Sequence, residues 1–259
     1  MTSLSQLIAQ YWPEVAVFIM VFGRTMGVIV GAPFWGSRVV PVPVRVWVAV
    51  LLAVAIYPMA KAAALPIDLS ILSMFLILVG EIFLGLMLGW LAQLFFAGMR
   101  LAGQQIEIKT GLSLIQLVDP HEGGQSGVFA AFLEVMAGII FFALNGHHLL
   151  IQALASSYKV FPLAGDKFLP RLAAGLIGSA GEVFTIALRV CAPVLFGLLL
   201  TDIFLGIISR AIPQMNVFMV AQPLQFAFGI LLLLLSMPML VWLVARQLPL
   251  MIGVPGGIG

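Results

Sequence analysis

Apolar side chains come in long runs along this chain, separated by short polar joints, and no apolar/polar alternation is visible. The first run extends from about Val15 to Phe34, the second from Val46 to Ala64, and the third from Ile71 to Met99. A fourth covers Val128 to Leu144 and can be extended to Ala155. The fifth, Leu172 to Ile208, is very long and contains Pro193, and the sixth spans Phe218 to Ala245. A short tail, Leu248 to Val254, leads to Gly256 and Gly257. A helix needs about 20 consecutive apolar residues to cross the hydrocarbon core of a bilayer. A membrane-spanning sheet would need alternation and closure. The pattern therefore predicts an all-α, multi-span helical membrane protein with about six long hydrophobic helical runs.

Three joints stand out. Ser37 to Arg45 contains Pro41 and Pro43, which forbid a continuous helix there. Arg100 to Gly127 is the longest polar stretch and carries glycines at 103, 111, 123, 124 and 127. Ser209 to Asn216, with Pro213, is a tight break between the fifth and sixth runs. No repeat, low-complexity tract or flexible linker divides the chain, so residues 1–259 read as a single domain.

Composition narrows the class further. Of 259 residues, 63% are apolar and 8% charged, against roughly 25% charged in soluble domains. The mean hydropathy is +1.19. So few charges cannot cover a soluble globule, which excludes soluble, DNA-binding and disordered classes. The 12 basic and 10 acidic residues leave a net charge of +2, too small to imply an anionic partner such as nucleic acid. One cysteine, Cys191, excludes an internal disulfide and a thiolate metal site. Met1 to Gln6 carries no basic segment ahead of the first run, so no cleavable signal peptide is expected.

Charge asymmetry between joints normally orients a membrane chain. With six spans, one side collects Lys61, Lys159, Lys167, Arg171 and Arg246, and the other Arg38, Arg45, Arg100, Lys109 and Arg210. The tie means that the span count is wrong, that helices are long and bent, or that lipid does not hold the chain in the ordinary way.

Ionisable residues inside the runs are Arg24, Glu81, Glu134, Glu182, Arg189 and Asp202. Each costs on the order of 2.5–3.5 kcal/mol at a helix centre on insertion scales, so all must be paired, hydrated or covered. Glu182 and Arg189 share one helix face but lie about two turns, roughly 10 Å, apart, which puts their partners on other helices or other chains. Asp202 points about 200° away from Glu182. Internal structural pairs, a proton or ion relay, and pairs between subunits of a larger assembly are the readings open to these charges. Gly23, Gly27 and Gly31 form one small-residue stripe, and Gly85 and Gly89 repeat its spacing. Such stripes mark close helix contacts without naming the partner.

Catalytic chemistry finds no support. No nucleotide-binding glycine loop, HExxH or GxSxG pattern occurs. His147 and His148 are adjacent and cannot share one metal as an i, i+4 pair would, and His121-Glu122 sits in a glycine-rich joint. No metal, no cofactor and no enzyme activity are expected.

Some of these residues together resemble a known family. Arg24, Gly31-Ala-Pro33-Phe-Trp-Gly36-Ser-Arg38 and Pro41-Val-Pro43-Val-Arg45 resemble the first hairpin of the FliR/SpaR/YscT family of type III secretion. Asp202-Ile-Phe-Leu-Gly206 through Arg210, Pro213 and Asn216 to Phe218 resembles its joint before the final hairpin. Gly103-Gln104-Gln105-Ile106, Gly111-Leu-Ser and Asp119-Pro120 match its polar middle loop. The similarity runs in order over essentially the whole chain, and the Asp202-to-Phe218 block is the most specific part.

The resemblance implies a core subunit of the flagellar export gate, with the equivalent virulence-injectisome subunit as the nearest alternative. One copy would join several FliP-like and FliQ-like chains in a closed helical ring, with FlhB- and FlhA-like proteins nearby and exported flagellar proteins as substrates. The location would be the bacterial inner membrane within the flagellar basal body. The chain would be a stack of bent helical hairpins partly lifted out of the bilayer plane, which would account for the charge tie and the buried charges together. The middle loop, about Gly103 to Gly127, would plug the pore through Gln104, Gln105, Ile106, Gly111, Leu112, Leu114, Ile115 and Leu117. An ordinary interfacial amphipathic loop is the plainer reading of the same stretch. Arg24, Glu81, Glu182, Arg189 and Asp202 would be assembly charges, and Pro41, Pro43, Pro213 and Asn216 structural turns. From a different class, an ion-coupled secondary transporter is the rival, motivated by Glu81, Glu134 and Asp202 at membrane depth.

Overall fold

The computed structural model describes residues 4–37, 40–64, 70–112, 127–163, 168–211 and 217–251; side-chain detail excludes 4–10, 168–180, 182, 217–218 and 249–251. Among these residues the chain forms helices and no strand. They are α1 (Leu4–Gly31), α2 (Val42–Ala62), α3 (Ile71–Thr110), α4 (Val128–Ala143), α5 (Gly146–Val160), α6 (Phe168–Ala211) and α7 (Val217–Met251). Five of them contain segments long and apolar enough to cross a membrane, and α4 with α5 makes a sixth if the pair is one broken span. The all-α, multi-span expectation holds.

Local chemistry explains the helix starts and breaks. Pro41 is the N-cap of α2, and Pro43 sits in its first turn, where a missing N–H costs nothing. Pro193 lies inside α6, so the fifth run stays helical through its proline. The third run does not end at Met99 but continues to Thr110. Beyond Met99 the helix turns amphipathic: Ala102, Ile106 and Thr110 are buried, whereas Gln104, Gln105 and Ile108 are exposed. A run defined by unbroken hydropathy stops where that stripe narrows. The fourth run breaks at Leu144 and Asn145, and Asn145 adopts left-handed geometry, φ 55° and ψ 37°, which asparagine tolerates better than most residues.

The helices gather into two compact units, each built from non-contiguous stretches of the chain. The first comprises 1–94, 145–179 and 249–259; the second comprises 95–144 and 180–248. In the first unit, Val17, Met20, Val21 and Val28 of α1 pack with Ala53, Ile56 and Ala60 of α2 and with Leu154 and Tyr158 of α5. The two glycine stripes meet each other: a Cβ on Gly27 would lie 3.0 Å from the Gly85 Cα, and one on Gly31 would lie 3.3 Å from the Gly89 Cα. This backbone-to-backbone seam between α1 and α3 names the partner that spacing alone left open. In the second unit, Gly98 of α3 packs against Val183 and Ile186 of α6. Phe96 meets Phe141 of α4 at 5.6 Å between ring centroids, and Phe129 meets Phe226 of α7 at 6.0 Å.

Candidate functional site

Two polar clusters, one in each unit, gather most of the ionisable side chains placed inside the apolar runs. The first is centred on Arg24 of α1, which is fully buried. Its Nε donates to Glu81 Oε2 of α3 at 2.5 Å. Nη1 donates to Ser157 Oγ of α5 at 3.0 Å, and Nη2 to the Phe161 carbonyl at 3.0 Å. Phe161 is the C-cap of α5, so the guanidinium also sits at the negative end of that helix dipole. Its face lies 4.0 Å from the Tyr158 ring centroid, a cation–π contact between two fully buried side chains. One side chain thus ties α1, α3 and α5 together.

The second cluster borders the middle joint. Lys109, in the last turn of α3, pairs with Asp202 of α6, and Gln225 Nε2 of α7 donates to the other Asp202 oxygen at 2.5 Å. Gly111 follows with φ 76°; a Cβ there would lie 2.8 Å from Gln222 Cδ. Glycine is needed at this turn both for its left-handed backbone and for the space. Buried Glu107 of α3 reaches across the joint and accepts the backbone N–H of Ala130 at 3.1 Å. That places a carboxylate on the first turn of α4, where it satisfies an orphan donor and the helix dipole. A Cβ on Gly127 would occupy the space of the Glu107 carboxylate. Gly103 of α3 packs directly on the Phe129–Ala130 backbone. Arg100 forks onto Glu134 of α4 at 3.1 and 2.5 Å.

These contacts sort the expected site residues. Arg24 and Glu81 face each other in the interior of the first unit and are buried there. Asp202 is paired within the second unit while staying partly exposed. Glu81, Glu134 and Asp202, the carboxylates behind the carrier reading, each have a cationic partner in this chain. Arg189 is exposed on α6 with no partner among the described residues, and the Glu182 side chain lies outside them. Gln104 and Gln105 are exposed on α3, Ile106 is fully buried, and Gly111 and Leu112 form the turn after the helix. Residues 103–110 are therefore helix rather than loop. Leu114, Ile115 and Leu117 fall outside the described residues, as do Pro213 and Asn216. Pro41 and Pro43 flank the start of α2, where Arg45 Nε donates to the Val40 carbonyl at 3.0 Å and Nη2 to that of Ser37. His147 and His148 lie 4.3 Å apart between ring centroids. Among the described residues no group of three or more His, Cys, Asp or Glu is placed to hold a metal.

Glu107, Gln222, Gln225 and Ser157 carry much of this geometry and are not singled out by sequence reasoning. Glu107 had one available signal: a carboxylate that continues the helical period of Gly103 and Thr110 on the buried face of α3. Ser157 and the glutamines meet their partners across tertiary contacts that no local spacing encodes.

Residues 15–251 match the family described as bacterial export proteins, family 1. The flagellar biosynthetic protein FliR of Bacillus subtilis (strain 168) is 34% identical over 227 residues, covering 85% of this chain and 85% of that protein. The flagellar biosynthetic protein FliR of Escherichia coli (strain K12) is 30% identical over 237 residues, 92% of this chain and 87% of that protein. The surface presentation of antigens protein SpaR of Salmonella typhimurium is 30% identical over 215 residues, 83% of this chain and 80% of that protein.

Proposed function

The chain belongs to the bacterial export proteins, family 1, and on that footing we propose that it is a core, non-enzymatic subunit of the flagellar type III protein export gate. It assembles with FliP-like and FliQ-like chains into a closed pore in the bacterial inner membrane, within the flagellar basal body, near FlhB- and FlhA-like proteins. Energy for export comes from other components. Its substrates are exported flagellar proteins, which pass through the pore.

The observation that carries the reading is the anchoring of both ends of the middle joint inside one helical unit. Lys109 and Gly111 hold the entry against Asp202 and Gln222, and Glu107 holds the exit at Ala130 and Gly127. A connection of this length between fixed ends suits a functional loop better than a passive linker. We assign it as the pore plug, with Gln104 and Gln105 on its helical approach and Gly111, Leu112, Leu114, Ile115 and Leu117 as occluding residues. Ile106, buried within the unit, supports the plug from beneath.

Deleting Leu112 to Leu117 tests this in cells that depend on the chain for export. The expected outcome is an assembled complex that conducts ions across the membrane in the absence of substrate. A deletion variant that assembles fully and stays ion-tight overturns the plug.

Membership in a virulence injectisome is the second reading, favoured by the similarity to the surface presentation of antigens protein SpaR. Rescue of motility in a strain lacking its own flagellar counterpart supports the flagellar assignment; rescue of effector secretion alone supports the injectisome.

A further inference from the structure

Helix α6 is one-sided between residues 185 and 207. Ile186, Val190, Val194, Leu198 and Leu205 are buried in the second unit. At 100° per residue, Thr185, Arg189, Ala192, Phe196, Ile203 and Ile207 fall within about 60° of one another on the opposite face, and all six are exposed. The stripe runs about 33 Å along the helix axis. Its large members, Phe196, Ile203 and Ile207, are 66%, 54% and 61% exposed. A continuous line of such residues marks a contact surface rather than a water-facing one.

One charge interrupts the line. Arg189 lies inside the apolar segment Val183–Ala211, about 9 Å along the axis from Val183, and has no partner among the described residues. Glu182 shares this face but stands seven positions away, wider than the i, i+4 spacing at which helical charges pair. Thr185, the other polar side chain of the stripe, donates back to the Gly181 carbonyl at 3.3 Å and asks nothing of a neighbour. Water suits Arg189 but not the apolar line around it. Hydrocarbon suits the line but not a guanidinium, which costs on the order of 2.5–3.5 kcal/mol at a helix centre. An apolar protein surface with one carboxylate suits both, because a desolvated guanidinium is stable only when paired, and its planar fork fits a carboxylate at two points. Ala192, one turn from Arg189, leaves room for a partner backbone to come close. We propose that the 185–207 face of α6 packs along an apolar helix of a different subunit, one that places an Asp or Glu side chain against Arg189. This rests on the assembly reading above and adds the chemistry of the neighbour.

Photoreactive benzoylphenylalanine is placed at Phe196, and separately at Ile203, in the tagged full chain in its native membrane. After irradiation the assembled particle is purified and the crosslinked peptides are sequenced by mass spectrometry. Both positions are expected to capture one apolar segment of a different subunit, with an Asp or Glu about two turns from the point joined to residue 196. Arg189→Leu then strands that carboxylate and is expected to lower the yield of assembled particle about tenfold or more. Arg189→Lys keeps most of the yield, and changing the mapped carboxylate to Leu alongside Arg189→Leu restores it. Equal amounts of each variant in the membrane show that insertion is unaffected. An assembled particle with no crosslink at either position, or a captured segment without an acidic residue, overturns the proposal while the assembly reading stands. Capture of a second copy of this chain, or full assembly of Arg189→Leu, also overturns it. A folded chain found alone overturns both.

Discussion

Arg24 is the largest fully buried side chain among the described residues, and its stability rests on having its charge and N–H groups matched by Glu81, Ser157 and the Phe161 carbonyl. Removing one member of a buried pair strands the other as an uncompensated charge, which costs about 3–5 kcal/mol. Arg24→Met is therefore expected to lower the thermal denaturation temperature in detergent sharply, and Glu81→Met to do the same. The double variant should regain much of the loss, since no charge is then left buried. Single variants as stable as the parent would contradict a buried-pair role. The sequence identified both residues as ionisable groups at membrane depth. It could not pair them, because Glu81 and Ser157 lie 57 and 133 positions from Arg24, and helical spacing says nothing at that range. Glu107 escaped notice for the opposite reason: it stands in a stretch polar enough to look solvated, and its partner is a backbone N–H.

The elements themselves were legible from hydropathy because a long apolar run leaves a membrane chain no ready alternative to a helix. Their ends were less so. The last turns of α3 carry Gln104, Gln105 and Lys109 on a helix whose other face is buried, and the break before α5 depends on the left-handed backbone of one asparagine. The glycine stripes were readable as contact surfaces, and the structure pairs them across α1 and α3. Gly27→Leu would drive a side chain into the backbone of Ile82, Gly85 and Leu86, an overpacking expected to cost at least about 1–3 kcal/mol. Gly80, on the same helix α3, has nothing within 4 Å of where a Cβ would stand. Gly80→Ala is expected to be neutral or to stabilise by up to about 1 kcal/mol through helix propensity. Thermal melts of the two variants in one detergent check the contrast, and equal effects would contradict the seam.

Across the whole molecule, the two polar clusters match most of the charges described within the spans, and a large amount of apolar surface stays exposed, including Ile71, Phe184, Phe196 and Leu235. Lipid or neighbouring chains must cover that surface. Arg189, exposed on α6, is a candidate among the described residues for a charge that meets another subunit. Arg189→Glu is expected to reduce the yield of assembled complex on a native gel while leaving membrane insertion intact; unchanged yield would remove it from the interface. We propose that this chain works only within a larger export assembly. This is tested most directly by affinity purification of the tagged chain from its native membrane in mild detergent, with native mass measurement and identification of the companions. The expected result is a large particle containing FliP-like and FliQ-like chains. A folded monomer or homodimer without companions would contradict the claim.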